Sequence, residues 1–234
     1  NETGVMQPIP EIAERAHRAG ALMMTDATQA VGKVPISVNH DGVDLLAFSS
    51  HKLYGPKGGG ALYVRQRGPR VKLSPQVTGG GQESGMRGGT LNVPGIVGLG
   101  MASYLARRQQ AADATRMEVL RDRFEAAVRK AVPGTVVNGA GAPRLPNTTS
   151  LRFEGPRAGQ LLPFLNDVAA SAGSACHSHR DEPSHVLTAM GLTPEQARST
   201  VRFSLGRPTT ESEVDTAVES IAEAVHLVRR RAAA

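Results

Sequence analysis

Tryptophan is absent from this chain of 234 residues, and aromatic side chains of all kinds make up 3%. A core must therefore be assembled from Ala, Val, Leu and Ile, which a 40% apolar content allows. The same scarcity leaves no platform on which bases could stack. The net charge is +6, but the basic residues are scattered, apart from Arg229, Arg230 and Arg231. Those three fall in the last turns of an expected helix, where the helix dipole favours cations. Direct binding of nucleic acid is therefore not expected. Cys176 is the single cysteine, so a disulfide-stapled secreted scaffold is excluded. No run reaches the roughly 20 apolar residues of a membrane span, and no secretory signal is visible. A cytoplasmic protein is expected. The chain also lacks an initiator methionine and opens Asn1-Glu2-Thr3-Gly4, as though an upstream segment were missing.

What is present is an alternation of apolar runs and helical patterns. Pro8 and Pro10 introduce a helix over Glu11 to Ala19, stopped at Gly20. Buried strands are expected at Ala21 to Thr25 and Val43 to Phe48, and a further strand at Ala61 to Val64, with a small strand or bend at Val34 to Ile36. Continuous apolar strands separated by helices predict a mainly parallel sheet covered on both faces. From Pro94 a helical region runs to about Val132, with a break expected near Gln110 to Thr115 and an apolar stripe of Val119, Leu120, Phe124 and Val128. Beyond Pro133 a second lobe offers strands at Thr135 to Val137, Thr148 to Phe153, Val168 to Ser171 and Val201 to Leu205. Its helices are expected at Ala158 to Asn166, Ser184 to Met190, Pro194 to Ser199 and Glu211 to Arg230. The last carries Val214, Val218, Ile221, Val225 and Val228 on one stripe, and Thr210 with Glu213 has capping-box spacing.

Four stretches carry chemistry. After Leu45 to Phe48 the chain delivers Ser49, Ser50, His51 and Lys52 into a turn followed by glycines. An amine at the end of a buried strand can be held, desolvated and aimed at a carbonyl, as in a Schiff base; a surface lysine in a polar loop is the alternative. Asp26 ends another strand, and in parallel sheets ligands sit beyond the carboxyl ends. The segment Thr78 to Thr90 holds six glycines in thirteen residues; Arg87 and Thr90 there suit a phosphate or carboxylate, while a flexible linker has the same composition. In Ser171 to Arg180, Cys176 sits beside His177, His179 and Arg180, neighbours that favour the thiolate. No metal is expected there, because adjacent side chains rarely reach one ion together. Arg202, inside the apolar run Val201 to Leu205, needs a carboxylate partner, from either the protein or a substrate.

Taken together, the chain resembles the cysteine desulfurases and selenocysteine lyases, fold-type I pyridoxal-phosphate enzymes of the aminotransferase class V family. The motifs span its whole length in the family's order: NETGV, TDATQAVGK, SSHKLYGPKG, GGGQESGMRGGT, SAGSACHS and VRFSLGRPTTESEVD. The resemblance implies the mainly parallel α/β sheet of the large domain, incomplete, over residues 1–93. A linking helix and smaller C-terminal α/β domain follow over 94–234. It implies that Lys52 holds pyridoxal 5'-phosphate, that Asp26 pairs with the ring nitrogen, and that Ser49 and His51 bind the phosphate. Thr90 reaches the phosphate of a partner subunit in a homodimer. Gln29 and Asn1 contact the cofactor's phenolic oxygen or the substrate. Arg202 binds the substrate carboxylate, and Cys176 takes the sulfur as a persulfide. The implied reaction converts L-cysteine to L-alanine and passes sulfur to an acceptor for iron–sulfur clusters, tRNA or DNA. Release of selenium from L-selenocysteine is the first alternative, and an inactive interaction or scaffold protein the second. The resemblance also implies that one wall of the pocket lies upstream, so that these 234 residues alone bind cofactor weakly.

Overall fold

The computed structural model describes residues 1–173 and 182–233; Cys176, His177, His179 and Arg180 lie outside the described residues. Packing divides the chain into two compact units, Gln7–Ala111 and Asn1–Met6 with Ala112–Ala234.

The first unit begins with helix α1, Ile9–Arg18. Proline at its start, Glu11 in the first turn and Arg15, His17 and Arg18 in the last suit the helix dipole. Strand β1, Met24–Asp26, pairs in parallel with β2, Leu45–Ser49, in the register Met24 to Leu45 through Asp26 to Ala47. Strand β3, Gly60–Val64, returns antiparallel to β2. The expectation of a mainly parallel sheet is corrected here: the sheet is mixed. The cause is the link over residues 50–59, which is too short for the helical crossover that a parallel return needs. At the head of β2, Asp44 is fully buried and meets Arg65 Nε at 2.9 Å and His17 Nε2 at 2.7 Å. Ala27, Val43 and Leu46 form one small core, and Leu53, Leu99, Ala102 and Ala106 form another.

Helix α2, Val93–Ala131, is continuous through both units. The expected break near Gln110 to Thr115 is absent, because its Gln, Ala, Asp and Thr residues are polar or small without being helix breakers. Val119 is exposed, and the buried stripe is instead Leu120, Phe124, Val128 and Val132. Packing thus divides the chain inside α2, whereas composition places a boundary at 93/94.

The second unit holds an antiparallel sheet of β4 (Val136–Val137), β5 (Thr148–Arg152) and β6 (Thr200–Ser204), in that order. Short helices α3 (Ala158–Leu161), α4 (His185–Ala189) and α5 (Pro194–Arg198) precede β6, and α6 (Glu211–Ala233) follows it. Leu151, Val201 and Phe203 from the sheet pack with Phe124 and Val128 of α2 and with Val214, Ile221, Val225 and Val228 of α6. Phe124 and Phe203 meet edge to face at 5.3 Å. Thr210 and Glu213 cap α6 reciprocally, Thr210 N donating to Glu213 at 2.8 Å and Glu213 N to Thr210 Oγ1 at 3.2 Å. Val168 to Ser171 is not a strand; Ser171 alone bridges to Arg202. Residues 1–6 join this unit because Leu145 N donates to Gly4 O at 2.7 Å and Met6 N to Pro143 O at 2.9 Å.

Candidate functional site

In the first unit the chemistry gathers where β1 and β2 end. Beyond Ser49 the chain enters a 3-10 turn, Ser50–Leu53, and leaves it through Tyr54 in the left-handed region (φ 64°). Ser50 N donates to Gly59 O and Gly55 N to Ser50 O, both at 3.0 Å. Ser50 is fully buried, and a Cβ on Gly55 would lie 2.3 Å from its Oγ, so only glycine closes this turn. Leu53 is buried as well, which turns His51 and Lys52 outward. Lys52 is exposed, contrary to the desolvated amine that its place after a buried strand suggests. Ser49 Oγ and His51 Nδ1 share a hydrogen bond of 2.7 Å. A hydroxyl, an imidazole and an amine therefore stand together on one open turn.

Asp26 ends β1 beside Ala47 of β2, at the same carboxyl edge as the Lys52 turn. One carboxylate oxygen accepts the Thr28 amide at 2.8 Å, fixing the side chain at the mouth of the turn that follows. Gln29 lies half-buried in that turn. Thr90 is exposed, and its recorded contact stays inside the glycine-rich loop: its carbonyl accepts from Arg87 at 3.4 Å. Arg87 also donates to Gly89 O at 3.0 Å and so folds back on its own loop. The structure brings Asp26, Ser49, His51 and Lys52 to one strand edge and does not bring Thr90 to them.

Composition did not single out Lys33, which is buried with its Nζ 3.2 Å from the carbonyl oxygen of Lys52. Burial, and then the Lys52 charge, pull this ammonium down from 10.5 to about 8. Its sequence signal was faint, a lysine after Gly32 inside TDATQAVGK.

In the second unit Arg202 lies on β6, paired with Ser150 of β5 on one side and bridged to Ser171 on the other. Its Nη1 donates to the Asn1 carbonyl at 2.8 Å. Burial pulls the guanidinium below its ordinary value, and the Glu2 carboxylate offsets part of that. Glu2 was also missed from composition. It is buried, accepts the Ser184 hydroxyl at 2.5 Å, and lies close to Gly173, where a Cβ would come within 3.2 Å of its carboxylate. Arg202, Asn1, Glu2, Gly173 and Ser184 are thus gathered at the two ends of the segment that includes Cys176. That thiol itself lies outside the described residues. Among the described residues no three metal-ligating side chains cluster, and no helix is long and apolar enough to cross a membrane.

Known proteins match nearly the whole chain. A cysteine desulfurase IscS of Anaeromyxobacter sp. (strain Fw109-5) is 48% identical over 229 residues, covering 98% of this chain and 56% of the relative. The X-ray structure of a NifS-like protein from Rickettsia africae ESF-5 matches with a TM-score of 0.87 and 31% identity, over 96% of this chain and 59% of that one. A structure of SspA in complex with cysteine matches with a TM-score of 0.70 and 36% identity, over 89% and 57%. The chain spans a little over half the length of the curated relatives it matches. The Aminotransferase class-V profile matches residues 1–217, and the chain belongs to that family.

Proposed function

We propose that this chain is part of a pyridoxal-phosphate-dependent cysteine desulfurase. The observation that carries the reading is the shared carboxyl edge of two parallel strands, where Asp26 ends one and the Lys52 turn follows the other. The side chains there fit the cofactor by their chemistry. Ser49 and His51 suit a phosphate, Asp26 keeps an oxygen free for a protonated ring nitrogen, and Lys52 offers an amine to an aldehyde. When bound, pyridoxal phosphate supplies an electron sink for the carbon that loses its proton. Lys52 then serves as the group that takes and returns that proton. Arg202, held by the Asn1 carbonyl, takes the substrate carboxylate through its guanidinium fork. The Cys176 thiolate attacks the substrate sulfur, so that an S–S bond forms as the C–S bond breaks, leaving alanine and a persulfide for an acceptor. The structural neighbour in complex with cysteine supports the choice of substrate class. Homodimerisation and the contribution of Thr90 to a partner's phosphate site belong to the same proposal.

The test is to incubate the whole protein that carries this chain with pyridoxal phosphate, record the visible spectrum before and after L-cysteine, and then reduce with borohydride. The expected result is a phosphopyridoxyl group on Lys52, a band that L-cysteine changes, and loss of both in Lys52→Ala. Sulfur release as persulfide should vanish in Cys176→Ala. Modification spread evenly over the lysines, with no preference for Lys52, would refute the reading. Turnover of L-selenocysteine that survives in Cys176→Ala would favour selenocysteine lyase.

A further inference from the structure

Lys33 is costly where it stands. Its side chain is buried, its ammonium has three protons to place, and its recorded acceptor is one backbone carbonyl, that of Lys52 at 3.2 Å. Among the described residues no carboxylate lies within 4.0 Å of it. The charge that acts on it is a repelling one, the Lys52 amine. A methionine would fill the same space without desolvating a cation. The expense points to a role for the charge.

The local geometry says what that role is. The 3-10 turn Ser50–Leu53 presents its last carbonyls where helix ends are partially negative. The Lys52 carbonyl is one of them, and Lys33 reaches it from beneath. Lys33 is itself fixed, its amide donating to Ala30 O at 2.9 Å. Gly32 before it has φ 76° and sits so close under the turn that a Cβ would lie 2.1 Å from Leu53 Cδ1. The loop after Asp26 and the turn bearing Lys52 are therefore clamped together at residues 32–33 and 52–53.

We propose that Lys33 is a positioning residue for Lys52: its buried ammonium pins the main chain of the Lys52 turn to the Asp26 loop and so sets where the Lys52 amine stands. The proposal rests on the reading of Lys52 as the cofactor lysine. A charge-assisted bond to a carbonyl is roughly twice as strong as a neutral one. The clamp is thus tight below about pH 8, where Lys33 is charged, and loosens as pH rises through that value.

Amide hydrogen exchange of the 234-residue chain without cofactor reads the clamp directly. In Lys33→Met, protection over residues 50–55 should fall about tenfold while that of residues 148–152 and 200–204 is unchanged. Lys33→Arg, which keeps the charge, should restore most of it. In the unsubstituted chain the protection factor of this turn should decline between pH 7 and 9, and in Lys33→Met it should stay flat. Borohydride trapping of pyridoxal phosphate on Lys52 should fall in Lys33→Met and recover in Lys33→Arg. Unchanged protection in Lys33→Met, or Lys33→Arg no better than Lys33→Met, would overturn the proposal. Because exchange is read without cofactor, the two readings fail separately. If protection behaves as stated but no cofactor is trapped on Lys52 in any variant, it is the cofactor reading that falls.

Discussion

Removing the Asp44 carboxylate should unlock the strand that leads to Lys52. The side chain is fully buried: its Oδ2 accepts from the Met23 amide at 2.8 Å and lies 2.7 Å from His17 Nε2, while its Oδ1 forms an ion pair with Arg65 Nε at 2.9 Å without hydrogen-bond geometry. In Asp44→Ala the Met23 amide loses its acceptor inside the protein, which costs about 1–3 kcal/mol. Arg65 loses its countercharge, and removing one partner of a buried pair costs roughly 3–5 kcal/mol. Arg65 keeps the Val38 and Val43 carbonyls at 3.1 and 2.9 Å, so its loss falls at the low end. The two costs overlap, and the expected destabilisation is about 3 kcal/mol. Asp44→Asn retains an acceptor for Met23 and should lose less. Urea unfolding followed by circular dichroism, with hydrogen exchange of residues 45–49 as the local readout, measures both. Burial alone would raise the Asp44 carboxyl, but the Met23 amide, His17 and Arg65 outweigh it and hold it below its ordinary value. Its contribution is therefore complete above about pH 4 and lost as pH falls through the lower folded value. Asp44→Ala should flatten that part of the acid-unfolding curve. A loss below about 1 kcal/mol, with the acid limb unchanged, would refute the reasoning.

Two further substitutions probe the two ends of the proposed chemistry. Gly32→Ala meets both a left-handed φ of 76° and the Leu53 side chain. It should cost about 2 kcal/mol and raise hydrogen exchange in the Lys52 turn; a neutral effect would mean that Leu53 has room to move. Arg202→Lys keeps the charge on β6 but not the fork. In the cofactor-loaded enzyme it should raise KM for L-cysteine about tenfold, some 1.4 kcal/mol, with a smaller change in kcat. An unchanged KM would free Arg202 from the carboxylate role.

Helix α6 was legible because two local signals agreed. The stripe of Val214, Ile221, Val225 and Val228 is buried, and Thr210 and Glu213 make both bonds of their capping box. Strand β2 was legible from its apolar run, and the edge bearing Asp26 and the Lys52 turn followed from it. The direction of β3 was not, since pairing depends on the length of a link rather than on strand composition. The run Gln110 to Thr115 looked like an interruption because it has no large apolar residue, yet its Gln, Ala, Asp and Thr are exposed or half-buried and all continue the helix. Val168 to Ser171 is apolar enough for a strand but makes one bridge only. Lys33 and Glu2 were invisible for a common reason: a charge reads as solvated until tertiary contacts bury it.

The second unit is discontinuous, with residues 1–6 packed against a sheet formed from residue 136 onward. On the ribosome these residues emerge well before the partners they pack against. Residues 7–111 can complete their own contacts meanwhile, since they include everything their unit contains. Gly4 must wait for Leu145, and Asn1 for Arg202. Closing a loop of that size costs about 4 kcal/mol of chain entropy, a cost that falls once the intervening unit is compact and brings its own ends together. Early folding of the unit that bears Lys52 thus becomes the step that lets the unit containing Arg202 recover its first six residues.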